Sequence, residues 1–123
     1  MSIEKPEIDF PEGDVPADLE IKDLWVGEGE EAKAGQTVTV HYVGVSFSTG
    51  EEFDASWNRD QPFRFPLGGG RVIKGWDQGV QGMKVGGRRR LTIPPHLAYG
   101  SQSPSPLIKA NETLIFVVDL LAV

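Results

Sequence analysis

The sequence is poor in the residues that carry out covalent and metal chemistry. It contains no cysteine, and its only histidines, His41 and His96, lie 55 positions apart and outside any close cluster of carboxylates. Without cysteine there is neither a disulfide framework nor a thiol nucleophile. Two distant histidines provide no metal-ligand set and no Ser-His-Asp arrangement for nucleophilic catalysis. The sequence therefore predicts a protein that binds no metal and needs no cofactor.

Long apolar stretches are also missing. No segment approaches the roughly 20 apolar residues that a membrane-spanning helix requires. The N-terminal stretch MSIEKPEIDF lacks the basic start and the apolar run of a secretory signal. Together with the absence of cysteine, these features predict a cytoplasmic protein without a membrane partner. Removal of a leader would leave the same sequence, so that alternative stays open.

Positive charge is scarce. Lys and Arg number 12 against 18 Asp and Glu, which gives a formal net charge of −6 at pH 7. An acidic protein repels polyanions, so nucleic acid is not expected as a partner. The run Arg88–Arg90 is the local exception, and we interpret it as a solvated basic rim beside an acidic surface. Under the alternative, a nucleic-acid site, binding would depend strongly on salt.

The chain divides into an acidic N-terminal arm and one folded domain. Three prolines and five carboxylates fall within residues 1–17, a composition typical of an extended segment rather than a folded element. Residues 18–123 suffice for one compact domain with a hydrophobic core and are too few for two ordinary domains.

Alternation of apolar and polar residues predicts strands in most of the domain. In the strand predicted at 36–47, the parity of the apolar residues reverses after Gly44, which indicates a bulge or a strong twist. Gly50, in the stretch STGEE, favours a hairpin turn. Further strands are predicted at 19–26, at the start of 51–61, at 62–67, at 88–93 and at 113–123, with a long loop at 94–112.

The segment 70–83 (GRVIKGWDQGVQGM) carries apolar residues at helical spacing, yet three glycines lie among them. Each glycine costs a helix about 0.8–1 kcal/mol relative to alanine, so the predicted helix is too weak to persist alone. It can persist by docking on the sheet, where the glycines permit close approach and Trp76 fills the remaining space. The pattern therefore predicts an α+β fold, an antiparallel sheet of about five strands with one short helix on its face.

Aromatic residues from well-separated segments form the remaining pattern. They are Tyr42, Phe53, Phe63, Trp76, Tyr99 and Phe116. Asp54 and Arg59, of opposite charge, lie among them in the sequence. Any one of these aromatics could be an ordinary core residue, but as a set they indicate an apolar cavity with a few polar groups, the usual form of a small-ligand site.

Several motifs, taken in order, resemble those of a single family. They are HYVGV (41–45), TGEEFDAS (49–56), PFRFPLG (62–68), VIKGWDQGVQGMKVGGRRRLTIPP (72–95), LAYG (97–100) and TLIFVVDLL (113–121). Over residues 18–123 the chain resembles the FKBP-type peptidyl-prolyl isomerases, which are the macrolide-binding immunophilins. It is similar to a minimal, single-domain bacterial member.

The resemblance implies a fold and a site. The expected fold is a five-stranded antiparallel half-barrel sheet wrapped around one short α-helix. Trp76 is expected to form the floor of the site, with Asp54 at its edge, held by Arg59 and by the Tyr42 hydroxyl. Tyr99 is expected to donate its hydroxyl to one ligand carbonyl, and the Ile73 amide to donate to another. The residues implied in catalysis are Asp54, Trp76, Tyr99 and Phe116; those implied in binding are Tyr42, Phe53, Arg59, Phe63, Val72, Ile73, Trp76, Tyr99, Ile108 and Phe116.

The sequence departs from the family pattern at a few positions. Lys109 and Ala110 replace prolines of the family's loop, and Arg71 stands where many members carry an acidic or amide residue. An inserted flap domain and a His-rich tail are both missing, so the chaperone and metal-binding traits of the SlyD-type branch are not implied.

The implied function is peptidyl-prolyl cis-trans isomerisation. The enzyme would accelerate rotation about X–Pro bonds by stabilising the twisted amide without a covalent intermediate, and would bind tacrolimus- and rapamycin-class macrolides at the same site. The expected partners are proline-containing peptides and unfolded proteins, and the expected state is a monomer. The alternative is a binding module or chaperone that captures proline-containing segments and isomerises them only incidentally.

Overall fold

A computed structural model describes residues 4–8 and 13–123. Within these residues there are six strands: β1 (Glu20–Trp25), β2 (Thr37–Ser46), β3 (Glu52–Ala55), β4 (Phe63–Pro66), β5 (Arg88–Ile93) and β6 (Leu114–Ala122). The helical elements are α1 (Lys74–Gly79) and the 3₁₀ helices Ser56–Arg59 and Pro95–Leu97. The fold is α+β, as predicted.

The strands form one antiparallel sheet in the order β1-β5-β6-β2-β3, with β4 also paired to β2. The sheet has six strands rather than five because β2, ten residues long, has room for two short partners. Its first half pairs with β4 through 37–40, and its second half pairs with β3 through 43–45. The expectation of an antiparallel sheet wrapped around one short helix is confirmed.

The structure has an irregularity where the sequence predicts a bulge or a strong twist, but the extra residue, Phe53, belongs to β3, and β2 pairs with β6 without a shift from His41 to Ser46. The register between β2 and β3 shifts between Gly44 and Val45. A Cβ atom on Gly44 would lie 2.6 Å from ring atoms of both Phe53 and Phe116, so glycine allows these two rings to approach the strand. Gly50, in the turn that follows, has a φ of 72°, as the predicted hairpin turn requires.

Helix α1 docks closely on β5. A Cβ atom on Gly75 would lie 2.5 Å from Ile93 Cγ2, and one on Gly79 would lie 2.7 Å from Leu91 Cδ2. The helix spans six residues, fewer than the predicted segment 70–83. It ends early because Gly82 has a φ of 89°, which is incompatible with a right-handed helix.

The hydrophobic core lies between α1 and the inner face of the sheet. β6 contributes alternate residues, as the sequence pattern predicts, and β5 contributes Leu91 and Ile93. The β6 residues are Leu114, Phe116, Val118 and Leu120. On this face Trp76, Val80 and Met83 of the helical segment are buried against the sheet.

The prediction of a solvated basic rim is wrong for Arg88 and Arg89. These side chains point to opposite faces of the sheet, and both residues are less than one-tenth exposed. Arg88 Nε donates to Asp119 Oδ1 at 2.6 Å, and Arg89 Nε donates to Asp23 Oδ1 at 2.6 Å. Arg89 Nη1 also donates to the Gly79 carbonyl at the end of α1, at 2.8 Å. Acids from neighbouring strands pair with both arginines, and one-dimensional charge patterns do not show this pairing.

The described part of the arm, 4–8 and 13–17, contains no regular secondary structure. Arg88 Nη2 donates to the Glu4 carbonyl at 2.7 Å, and Lys5 Nζ lies 2.8 Å from Glu52 Oε1. The extended character predicted for residues 1–3 and 9–12 lies outside the described residues. Within 4–8 and 13–123, no helix is long and apolar enough to span a membrane.

Candidate functional site

A cavity of about 450 Å³ lies where α1 meets the inner face of the sheet. Strands β2, β3, β4 and β6, the turn before α1 and the loop after β5 all contribute to its wall. Its lining residues are Tyr42, Phe53, Asp54, Phe63, Arg71, Val72, Ile73, Trp76, Tyr99 and Phe116. A larger hollow of about 580 Å³ beside β1 and β5 is lined mainly by charged and polar side chains such as Glu20, Lys22 and Arg90. Only the first has the apolar wall typical of a small-molecule site.

The Trp76 indole forms the floor of the cavity and is 4% exposed. The rings of Tyr42 and Phe116 meet it edge-to-face, with centroid distances of 4.9 Å and 5.2 Å. Edge-to-face packing is a favourable geometry for aromatic pairs. The floor is therefore fixed by rings from two strands as well as by its own helix.

The side walls are also aromatic. Phe63, at the start of β4, stacks on the buried Phe65 with a centroid distance of 5.6 Å and stays about one-third exposed toward the cavity. Phe53 meets Phe116 edge-to-face at 5.5 Å, above the glycine at position 44. Rings packed on other rings have little freedom to collapse into the empty space, so the cavity is pre-formed.

One carboxylate lines the cavity, and two neighbours hold it in place. The Tyr42 hydroxyl donates to Asp54 Oδ2 at 2.6 Å, and Arg59 Nη1 donates to Asp54 Oδ1 at 2.7 Å. Arg59 Nη2 also donates to the Tyr42 hydroxyl oxygen at 2.8 Å. The 3₁₀ helix after β3 returns the chain so that Arg59 lies against Asp54.

This network shifts the titration of its members. Burial, together with the hydrogen bond to Asp54, raises the pKa of Tyr42 to about 12, so the hydroxyl stays a donor throughout the physiological range. Burial alone would raise the pKa of Asp54, but the hydrogen bonds from Tyr42 and Arg59 outweigh it and hold that pKa below 3.8. At neutral pH the cavity edge therefore carries an ionised carboxylate.

The Tyr99 hydroxyl and the Ile73 amide lie at the cavity and have no acceptor among the residues described. The Tyr99 hydroxyl lies in the loop after β5, about one-third exposed, and donates no hydrogen bond within 4–8 and 13–123. The Ile73 amide precedes the first turn of α1, where helix geometry leaves N–H groups without intrahelical acceptors. Both donors can bind carbonyl groups of a molecule in the cavity.

The family model described as FKBP-type peptidyl-prolyl cis-trans isomerase matches residues 28–121. The chain belongs to this family. As an FKBP-type protein it is a peptidyl-prolyl cis-trans isomerase, in agreement with the resemblance.

Curated relatives and solved structures agree with the FKBP-type assignment. An FK506-binding protein of Streptomyces anulatus is 70% identical, and the alignment covers 100% of both chains. A probable FK506-binding protein of Corynebacterium glutamicum is 56% identical over 98% of this chain and 99% of the relative. The crystal structure of AtFKBP13 superposes with a TM-score of 0.77 at 42% identity, covering 88% of this chain and 94% of that one. FkpA from Escherichia coli gives a TM-score of 0.74 at 43% identity, over 84% of this chain and 46% of that one.

The FKBP-type cavity brings together most of the residues singled out in the sequence. Arg59 and Ile108 do not line it. Arg59 lies behind Asp54 and reaches the cavity only through that carboxylate and Tyr42. Ile108 is buried in the hydrophobic core, whereas its neighbour Leu107 is about half exposed.

Arg71 lines the FKBP-type cavity and was not among the predicted site residues. The sequence does contain a signal, because Arg71 directly precedes the two wall residues Val72 and Ile73.

Proposed function

We propose that this isomerase acts on X–Pro bonds within the Trp76 cavity and that the chemistry is entirely non-covalent. The observation that carries the proposal is the geometry of the cavity, an open aromatic space with a fixed carboxylate at its edge and free N–H and O–H donors beside it. Proline is an apolar ring flanked by carbonyl groups, and the cavity offers a matching surface for each part.

The barrier to X–Pro rotation arises from amide resonance and amounts to about 18–20 kcal/mol. In the twisted transition state the proline nitrogen becomes pyramidal and the carbonyl loses part of its negative charge. Water stabilises the planar, polar amide, whereas an aromatic cavity favours the less polar twisted form. A site that binds the transition state more tightly than the ground state lowers the barrier, and a 10⁴-fold acceleration requires about 5.5 kcal/mol of such differential binding.

The proposal gives each group a role. The proline ring lies on the Trp76 indole between the side walls, with Phe116 closing one side. The Tyr99 hydroxyl and the Ile73 amide hold the flanking carbonyl groups. Asp54, kept ionised by its neighbours, stabilises the altered dipole of the rotated carbonyl.

We also propose that FK506- and rapamycin-class macrolides bind in the same cavity. The proposal is supported by the two relatives named as FK506-binding, or probable FK506-binding, proteins, which the chain matches over nearly its whole length. Lys109 and Ala110, both in the loop beside Ile108, replace prolines of the family pattern, and loop stiffness is expected to tune macrolide affinity.

The test is an NMR exchange assay on a Leu-Pro peptide. We expect Phe116→Ala and Trp76→Ala to lower kcat/KM by about 100-fold or more, because misplacement of the reacting group has effects of that size. Trp25→Ala is the matched control, since Trp25 is a half-exposed aromatic on β1 that does not line the cavity. Full activity in both cavity variants would place the active site elsewhere.

Two further variants separate catalysis from folding. Phe63→Ala alters a partly exposed wall residue and should leave the fold intact while lowering kcat/KM. Tyr99→Phe removes only the hydroxyl and should lower kcat/KM by about 2- to 10-fold, which corresponds to the loss of one neutral hydrogen bond.

A refolding reaction limited by proline isomerisation separates turnover from capture. Acceleration by catalytic amounts of enzyme supports turnover, whereas a need for stoichiometric amounts would favour the capture of proline segments.

A further inference from the structure

The rim of the cavity carries a charged side chain that the proposed mechanism does not use. Arg71 is exposed and lines the cavity beside Val72 and Ile73. Among residues 4–8 and 13–123 the other charged lining residue is Asp54, which is already paired with Arg59 at 2.7 Å. The Asp54–Arg59 pair is close to neutral as a unit, so Arg71 gives this rim a net positive charge.

The backbone before Arg71 is held in place by a carboxylate of α1. Asp77 Oδ1 accepts a hydrogen bond from the Gly68 amide at 2.8 Å, and Asp77 Oδ2 accepts one from the Gly70 amide at 2.9 Å. Gly70 has a φ of 74°, a conformation that glycine adopts without strain. The turn therefore delivers Arg71 to the rim from a fixed backbone.

The same contacts explain why Arg71 keeps its charge available. Asp77 is the carboxylate nearest to Arg71 in the sequence, but both of its oxygens are engaged by backbone amides. Within residues 4–8 and 13–123, Arg71 forms no salt bridge and its side chain forms no hydrogen bond. A guanidinium at the wall of a substrate cavity, without a partner in this part of the chain, can bind a carboxylate from the substrate.

We propose that Arg71 makes the enzyme selective for X–Pro bonds with an Asp or Glu side chain adjacent to the proline. The inference rests on the proposed use of the Trp76 cavity for X–Pro substrates. Guanidinium groups bind carboxylates through two parallel hydrogen bonds, which favours acidic over amide side chains of the same shape. Because the site is exposed, the selectivity is about two- to fivefold at low ionic strength and falls as salt is added.

The experiment compares kcat/KM, measured by NMR exchange, for peptides that differ only in charge. One pair is acetyl-Ala-Glu-Pro-Phe-amide and its Gln counterpart; the other is acetyl-Ala-Leu-Pro-Glu-amide and its Gln counterpart. We expect the Glu peptide to be preferred by about two- to fivefold in at least one pair at low salt. Arg71→Glu should bring that ratio below one, and Arg71→Lys should keep part of the preference.

Arg64→Glu is the matched control. Arg64 is an exposed arginine on β4 that does not line the cavity, and its replacement changes the net charge of the protein by the same amount. It should leave the Glu-to-Gln ratio unchanged, which separates a local contact from a general electrostatic effect. The proposal is overturned if wild type and Arg71→Glu have the same Glu-to-Gln ratio of kcat/KM. It is also overturned if Arg64→Glu lowers that ratio as much as Arg71→Glu does. Absence of turnover on every peptide, the Gln peptides included, would instead contradict the proposed function.

Discussion

On its inner face the sheet packs apolar side chains against α1 and leaves an aromatic cavity open, whereas its outer face carries a row of aromatic, charged and polar side chains, of which Arg88 and Asp119 are buried. The row follows the strand register, in which Trp25 pairs with Arg88, Arg88 with Asp119 and Asp119 with His41. Each member lies directly opposite its neighbour, so the row crosses β1, β5, β6 and β2.

Contacts within the chain join the members of the outer row, although Asp119 Oδ2 and Trp57 Nε1 have no hydrogen-bond partner among the described residues. The Arg88 guanidinium lies 4.3 Å from the Trp25 ring centroid and binds Asp119. The His41 ring stacks on Trp57 with a centroid distance of 4.1 Å, and its Nδ1 lies 2.7 Å from Ser56 Oγ. Cation–π and charge-assisted contacts of this kind fix one strand against another.

The comparison shows where a binding site can be found in such a fold. On the outer face Arg88 is engaged by both Asp119 and Trp25, so this row supports structure. On the inner face, ring surfaces, the Tyr99 hydroxyl and the Ile73 amide are left available. A functional site is thus indicated by ring surfaces and donors that are left available around an open cavity.

The largest effect is expected from breaking the outer row at its centre. Asp119→Ala leaves the buried Arg88 charge without its partner, which should lower the free energy of unfolding by about 3–5 kcal/mol. Urea denaturation measures the loss. The double change Arg88→Met with Asp119→Leu removes both charges and should restore most of the stability. Activity per folded molecule should be unchanged in both variants, and a selective loss of activity would contradict the separation of the two faces.

A smaller effect is expected from filling the space behind the cavity wall. In Gly44→Ala the new Cβ lies 2.6 Å from ring atoms of both Phe53 and Phe116, so the two rings must shift. Overpacking of this kind costs about 1–3 kcal/mol. Because the rings belong to the wall, kcat/KM should fall as well, in contrast to Asp119→Ala. Gly69→Ala is the control, since its Cβ would make only ordinary contacts, the nearest at 3.6 Å.

Much of the fold could be predicted because burial on one face of a strand leaves a pattern of period two. Strands β2 and β6 show it clearly. The change of parity at Gly44 coincides with burial of β2 on both faces, and the extra residue there belongs to β3. The helix was located but overextended, because the apolar spacing continues past the point where Gly82 takes a positive φ. Periodicity records which side chains are buried and not where the backbone turns.

The candidate site was only partly predictable for a related reason. The aromatic residues of the cavity could be identified as a set because large rings at loops and helix starts are unusual core residues. The roles of Arg88 and Arg71 depend on contacts made in the folded chain. Arg88 meets Asp119 across the sheet, whereas the nearby Asp77 accepts from glycine amides, and Arg71 has no ion-pair partner within 4–8 and 13–123. Charge along the sequence does not encode these pairings.

A third prediction compares one carboxylate from each face by its dependence on pH. Hydrogen bonds from Tyr42 and Arg59 lower the pKa of Asp54 in the folded state, so Asp54 stabilises the fold above its ordinary pKa and loses that contribution as the pH falls through the lowered pKa. Burial raises the pKa of Asp119 despite the Arg88 contact, so protonation there favours the folded state as the pH falls through the raised value. The two groups therefore act in opposite directions in acid.

The measurement is urea denaturation of Asp54→Asn and Asp119→Asn between pH 7 and pH 3. The stability advantage of wild type over Asp54→Asn, about 1 kcal/mol because the group is partly exposed, should vanish in acid. For Asp119→Asn, the free energy of unfolding of wild type should instead rise relative to that of the variant as the pH falls. If the stability difference from wild type changed with pH in the same direction for both variants, the two carboxylates would not act in opposite directions.

The smallest effect concerns the arm, which contacts the rim of the outer face. Lys5 Nζ lies 2.8 Å from Glu52 Oε1 and 3.0 Å from Asn58 Oδ1. Glu52 and Asn58 are close in sequence to Asp54 and Arg59, the ion pair at the cavity. These contacts are partly exposed, so Lys5→Ala should lower the free energy of unfolding by no more than about 1 kcal/mol.

We expect removal of residues 1–17 to have a similarly small effect on thermal stability and none on kcat/KM, because residues 18–123 are expected to form the folded domain. Lys22→Ala, an exposed lysine on β1, is the control. A drop in kcat/KM of about tenfold in Lys5→Ala at unchanged stability, equivalent to about 1.4 kcal/mol, would instead mean that the arm positions the Asp54–Arg59 pair and belongs to the site.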